Sequence, residues 1–299
     1  MKKVIWKGFN DKSINCYIFD EVAKPKAVVV IVHGMQEHAL RYKTFAKKLN
    51  EEGFLVFASD LRGHGKNVMD NNWGYDDNDI FLNIVEDQKI FINNLKKMYK
   101  LPVYVLGHSY GSFVTQRLIL ECQNVDKFVL SGSAYTNTML FKSAKIIAKI
   151  SSLIKGKKAE AKLIEKMSIK GYGKNFEDGN WLSRDKKVWA AYQKDEMCGN
   201  PFPNWFYVSM FTNLPKNYKK LKKANKNVKL FLIAGDNDPV GANGESVKKL
   251  CDVYIKNGFD ATLKLYKGAR HEVLNETNKQ EVVEDLIKFL NRNNCKNKI

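Results

Sequence analysis

Apolar residues in this chain fall into short continuous runs, separated by longer stretches where they recur every three or four positions. Ala27-Val28-Val29-Val30-Ile31-Val32 is apolar throughout and rich in β-branched residues, the pattern of a strand buried on both faces. Runs at 54–59, 103–106, 128–130, 228–234 and 261–266 predict further strands. Between them, residues 40–52, 80–99, 112–120, 244–256 and 278–291 carry apolar positions at helical spacing. Gly53 stands where the first of these needs a C-cap. Residues 4–9 and 14–19 read as two strands of a hairpin joined by the turn formers Asn10-Asp11-Lys12-Ser13. This alternation predicts an α/β fold: a mostly parallel eight-stranded sheet with right-handed crossovers and helices on both faces.

The alternation lapses from Tyr135 to Pro215. Lysine-rich helical segments come first, then an aromatic-rich stretch from Trp181 to Phe211, with no convincing strand. The expected organisation is a first part of the core at 1–134, a helical cap inserted at 135–215, and the second part of the core at 216–299. The tail from Asn291 to Ile299 reads as frayed and polar apart from its last residue.

Charge adds a second theme. Fifty Lys+Arg face 32 Asp+Glu, for a net charge of +18. Compositional bias and solubility are the plain explanation; attraction to anionic membranes or acidic substrates is the sharper one. No nucleic-acid motif accompanies the charge, so nucleic acid is not an expected partner. The five cysteines are scattered, and none forms a Cys-x-x-Cys pair. They point to reduced thiols in a cytoplasm rather than to disulfides or zinc. No apolar run is long enough to span a bilayer, and no apolar stretch follows the basic N-terminus. Neither a membrane helix nor a signal peptide is therefore expected.

The candidate chemistry centres on Gly107-His108-Ser109-Tyr110-Gly111, set between a predicted strand and a predicted helix. In that context Gly-x-Ser-x-Gly is a nucleophile elbow, with Ser109 held at a helix N-terminus. A serine hydroxyl needs a base. His33 and His64 sit in glycine-rich loops at strand ends and read as structural; His108 adjoins the serine and should point elsewhere. His33 and His38 are too oddly spaced for a metal site, and no Cys or carboxylate cluster completes one. His271 follows the last predicted strand, where parallel sheets place functional residues, and is the candidate base. Its protonation should end activity below about pH 6. Asp236 and Asp238 both follow the strand ending at Ala234 and are both candidates for the orienting carboxylate. The order Ser, Asp, His is that of α/β-hydrolases. The backbone N–H groups of Tyr110 and Met35 are the candidate oxyanion donors.

Four stretches together resemble the monoacylglycerol lipase and lysophospholipase group of α/β-hydrolases: residues 33–42, Asp60-Leu61-Arg62-Gly63-His64-Gly65, residues 107–111, and Gly268-Ala269-Arg270-His271-Glu272. The resemblance covers residues 3–135 and 225–292 and selects Asp238 over Asp236. It implies ester hydrolysis through a serine acyl-enzyme, without a cofactor or metal, on a small lipid or ester. A thioesterase, acyltransferase or peptidase using the same residues, and a non-catalytic binding module built on the basic cap, stay open. Residues 141–170 hold nine lysines and two glutamates among apolar residues. The simpler expectation is amphipathic helices with their apolar faces inward; the alternative is an interfacial lid on anionic lipid.

Overall fold

Eight strands build one sheet in the computed structural model, which describes residues 1–292: β1 (Lys2–Lys7), β2 (Ser13–Phe19), β3 (Ala27–Val32), β4 (Phe54–Ser59), β5 (Val103–His108), β6 (Lys127–Ser131), β7 (Lys229–Gly235) and β8 (Asp260–Tyr266). Their order is β1-β2-β4-β3-β5-β6-β7-β8. β1 and β2, and β2 and β4, run antiparallel; the remaining neighbours are parallel. The α-helices are α1 (Lys43–Glu51), α2 (Ile80–Tyr99), α3 (Tyr110–Glu121), α4 (Met139–Lys155), α5 (Lys162–Met167), α6 (Ile169–Tyr172), α7 (Lys186–Lys194), α8 (Asn204–Asn213), α9 (Glu245–Lys256) and α10 (Lys279–Asn291). Cys295 and most of the tail expected to fray lie outside the described residues.

The two-residue period of a strand explains why β3 is apolar at every position. Val28, Val30 and Val32 join the core on one face, and Ala27, Val29 and Ile31 join the core on the other. α2, α3 and α9 cover the first face with Ile84, Val114 and Leu250. α1 and α10 cover the second with Leu49 and Leu286. Lys127, in β6, is only 1% exposed. Its ammonium donates to the carbonyls of Phe289, Leu290 and Arg292 at 3.2, 2.7 and 2.5 Å, and so closes the C-terminus of α10.

Two boundaries differ from the sequence pattern. The first strand runs from Lys2 to Lys7, because Phe9–Asp11 form a 3₁₀ turn with Asn10 and Asp11 in the left-handed region. The helix expected from residue 40 is split: Ala39–Tyr42 are 3₁₀, and α1 starts at Lys43. The Asp60 carboxylate takes the Ala39 N–H at 2.9 Å and anchors that first turn.

Between β6 and β7 lie α4 to α8, with one isolated bridge from Glu160 to Pro203. The simpler expectation holds for only one face of α4, where Phe141, Ala144 and Ile147 pack against the core. Ala148 is its only buried residue, whereas Met139, Leu140, Ile146, Ile150, Leu153 and Ile154 are 50–85% exposed. The reason lies in α8, which is buried nearly all round and takes α4 against only one of its sides. The rest of the apolar surface of α4 has nothing described packed on it. No helix among the described residues is long and apolar enough to cross a membrane.

Candidate active site

Ser109 links β5 to α3 with φ 51° and ψ −120°, a conformation that costs a non-glycine residue energy. The flanking glycines make the turn possible. A Cβ on Gly107 would overlap the Thr115 hydroxyl, and one on Gly111 would overlap the Val32 and His33 carbonyls. The end of β3 and the start of α3 therefore meet backbone to backbone. Gly34 lies next to Ser109 in the same way: its ideal Cβ would stand 3.2 Å from the Ser109 Cβ.

β7 and β8 lead into the loops that carry Asp238 and His271. His271 Nδ1 lies 2.9 Å from Asp238 Oδ2, and both residues are buried. A carboxylate only accepts, so Nδ1 carries the proton and Nε2 is the free-base nitrogen. Nε2 is buried without a hydrogen-bond partner in the described structure. Ser109 and His271 line the same small cavity. Gly132, with φ 58°, leaves room for the ring: a Cβ there would be 2.9 Å from His271 Cε1. Trp181 lies against the other side of the ring, with centroids 4.9 Å apart. Burial works against an imidazolium at this position. The Asp238 carboxylate outweighs it, with Glu272 and Glu37 behind, and holds His271 above the ordinary histidine range. Asp236, the other aspartate of the pair, accepts the Gly268 N–H at 2.6 Å and serves that turn instead.

The remaining histidines have partners of their own. His33 donates from Nδ1 to the Gly34 carbonyl at 2.8 Å and accepts the Leu61 N–H on Nε2 at 2.9 Å. His64 Nδ1 donates to the Arg62 carbonyl. His108 does not point away, as expected from the sequence. It lines the small cavity with its ring 4.9 Å from that of His271. Burial, with His271 close by, pushes His108 down to about 4, so it stays neutral. His38 also differs from expectation, because the fold supplies the carboxylate and the thiol that its own neighbourhood lacks. Asp195 and Cys198 come within 4.8 Å of it, the one such group among the described residues. His38 Nε2 and Asp195 Oδ2 already satisfy each other at 2.8 Å, which ties the loop after β3 to the one after α7.

Met35 and Tyr110 flank Ser109 from the two sides expected, the loop after β3 and the first residue of α3. With Ser109 they line an apolar cavity of about 230 Å³, whose other walls include Phe141, Ile147, Ile164, Met210 and Phe211. The small cavity that Ser109 shares with His271 is about 30 Å³ and is lined by the polar residues Gln36, Glu37, Arg41, Tyr192 and Glu272 together with Trp181 and Leu182. Sequence reasoning assigned no role to Glu37, Arg41 or Glu272. The available signal was charged residues in loops at the ends of parallel strands. The four described cysteines, Cys16, Cys122, Cys198 and Cys251, are free thiols.

Comparison with known proteins gives a consistent picture. The model of the hydrolase family described as "Serine aminopeptidase, S33" matches residues 23–278. A monoacylglycerol lipase of Mycolicibacterium smegmatis is 27% identical over 276 residues, covering 89% of this chain and 88% of its own. Human monoglyceride lipase is 26% identical over 265 residues, covering 86% and 78%. The crystal structure of a carboxyl esterase from Bacillus coagulans, in complex with glycerol, superposes with a TM-score of 0.85 at 27% identity and 97% coverage of both chains.

Proposed function

Since this chain belongs to the serine aminopeptidase S33 hydrolase family, with the α/β-hydrolase fold, and is a carboxylic ester hydrolase, we propose that it cleaves monoacylglycerols through Ser109, His271 and Asp238. The observation that carries this reading is the position of Ser109 between two unlike cavities, one apolar and one small and polar. An acyl chain fills the first. A glycerol head group faces the second.

The reaction has two halves. Ser109 Oγ attacks the ester carbonyl carbon and passes its proton to His271 Nε2. The oxyanion is received by the N–H groups of Met35 and Tyr110. The C–O bond then breaks, and His271 returns the proton to the departing glycerol oxygen. Water, activated by the same imidazole, releases the fatty acid from the acyl-serine. No step uses a cofactor or metal.

The polar cavity favours glycerol over a phosphorylated head group. Its two carboxylates, Glu37 and Glu272, share one guanidinium, that of Arg41. A phosphate placed there meets excess negative charge, which costs several kcal/mol. A 1-monoacylglycerol is therefore expected to exceed the lysophosphatidylcholine of equal chain length by about 100-fold or more in kcat/KM. A p-nitrophenyl ester series run first defines the chain length for this comparison. Faster cleavage of the lysophospholipid would remove the head-group assignment and leave the esterase.

Residues 135–215 act as a cap that rests on anionic membrane. Leu140 and Met167 line the apolar cavity and are also 71% and 61% exposed, so its mouth opens beside the bare face of α4. Lys142, Lys149 and Lys155 are exposed on α4, and Lys157 and Lys158 just beyond its end. Vesicles containing phosphatidylglycerol are expected to sediment the protein at low salt, and neutral vesicles to do so far less. Leu153→Asp with Ile154→Asp should abolish sedimentation but leave p-nitrophenyl acetate hydrolysis unchanged. Equal binding to both vesicle types would exclude the charge contribution. A cytoplasmic setting on the membrane periphery fits the free thiols.

A further inference from the structure

The loop after β3 and the loop after β8 are bridged by the largely buried side chain of Arg41, which reaches a carboxylate 231 residues away in the chain. Arg41 donates from Nη1 to Glu37 Oε2 at 2.6 Å and to Glu272 Oε1 at 2.7 Å, and from Nη2 to Glu272 Oε2 at 2.8 Å. The three side chains are 11%, 4% and 5% exposed. Glu37 turns its other oxygen, Oε1, to the Gly34 N–H at 2.5 Å and the Tyr42 hydroxyl at 2.8 Å. Glu272 Oε2 also accepts from the Asn275 amide at 2.8 Å. All four carboxylate oxygens are thus engaged within the protein.

We infer that Glu37, Arg41 and Glu272 are positioning residues that clamp the loop presenting the Met35 N–H to the loop presenting His271. The inference rests on the roles proposed above for Met35 and His271. Its physical basis is adjacency: Glu37 bonds the residue before Met35, and Glu272 is the residue after His271. A guanidinium holds two carboxylates in a fixed planar fork, which a lysine ammonium does not. Burying three charges is unfavourable unless each is fully paired, so the network has one strongly preferred arrangement. Arg41 brings the Glu37 carboxyl down to about 2, against the effect of burial, so the charges persist at any working pH. The Tyr192 ring, on α7, lies 5.0 Å from the guanidinium and covers it from the inserted segment.

Loss of the clamp lets the oxyanion donor drift from the base, and a misplacement of about 1 Å costs about 100-fold in rate. The test uses p-nitrophenyl butyrate, which has no polyol to contact the polar cavity. Arg41→Met is expected to lower kcat about 100-fold, leave KM within about threefold, and weaken an alkyl trifluoromethyl ketone, which forms an anionic tetrahedral adduct, by the same factor as kcat. Arg41→Lys should recover part of the loss. If Arg41→Met fails to fold by circular dichroism, Glu272→Gln, which keeps the shape, carries the same expectation. A folded variant with unchanged kcat overturns the inference. So does a defect confined to KM for monoacylglycerol, which would make these residues head-group contacts. Loss of activity in Ser109→Ala, measured alongside, separates the two proposals: if it holds while the Arg41 variants are normal, only the clamp fails.

Discussion

Ser109→Ala is expected to lower kcat for ester hydrolysis by about 10⁵- to 10⁶-fold and to abolish labelling by a fluorophosphonate probe. The protein should still fold, with an unchanged thermal transition. Alanine keeps the Cβ and suffers the same strain at φ 51°. The hydroxyl makes no side-chain hydrogen bond among the described residues, while the glycines at 107 and 111 let strand and helix meet. Labelling of the folded variant would place the nucleophile elsewhere. An inert wild-type protein would favour a binding module on this fold.

Asp238→Asn is expected to lower kcat by about 10⁴-fold and to move the acid limb of kcat/KM to lower pH. The sign follows from the chemistry. His271 acts as a base only when neutral, and Asp238 holds its pKa above the ordinary value near 6.5. Wild-type activity should therefore fall with acid already above pH 6.5, rather than below about pH 6 as the sequence suggested. An asparagine supplies no charge to sustain the imidazolium. Its amide can also donate to Nδ1 and leave the proton on Nε2, the wrong tautomer for accepting the serine proton. A pH–rate profile from 5 to 9 on p-nitrophenyl butyrate checks both effects. An unmoved acid limb, or a loss below tenfold, would remove Asp238 from this role.

The elbow was legible because its letters report local sterics: strand, tight turn and helix are adjacent in the chain, and no side chain fits at Gly107 or Gly111. The choice between Asp236 and Asp238 was not local. Both follow β7 and spacing does not separate them; the family resemblance selected Asp238, and the arrival of the β8 loop supplies the physical reason, with Asp238 at His271 and Asp236 at the Gly268 turn. His108 was misjudged for the same reason, since its neighbour His271 comes from 163 residues away.

Helix α4 marks the other limit. Its periodicity identified a helix but not its environment: Phe141, Ala144 and Ile147 face inward, whereas Ile146, Ile150, Leu153 and Ile154 stand in the open. Hydrophobic period reports that a face exists, not what covers it.

By itself, the sequence determined the strands, the helices, the parallel sheet and the strained serine. Each depends on residues within a few positions of one another, where backbone sterics and a two- or 3.6-residue period act directly. Only the tertiary structure decided which charges Arg41 joins, which ring His108 meets, and which faces are left bare. Those outcomes depend on loops brought together at the C-terminal ends of parallel strands, and side-chain geometry there is set by packing across hundreds of residues rather than by local preference.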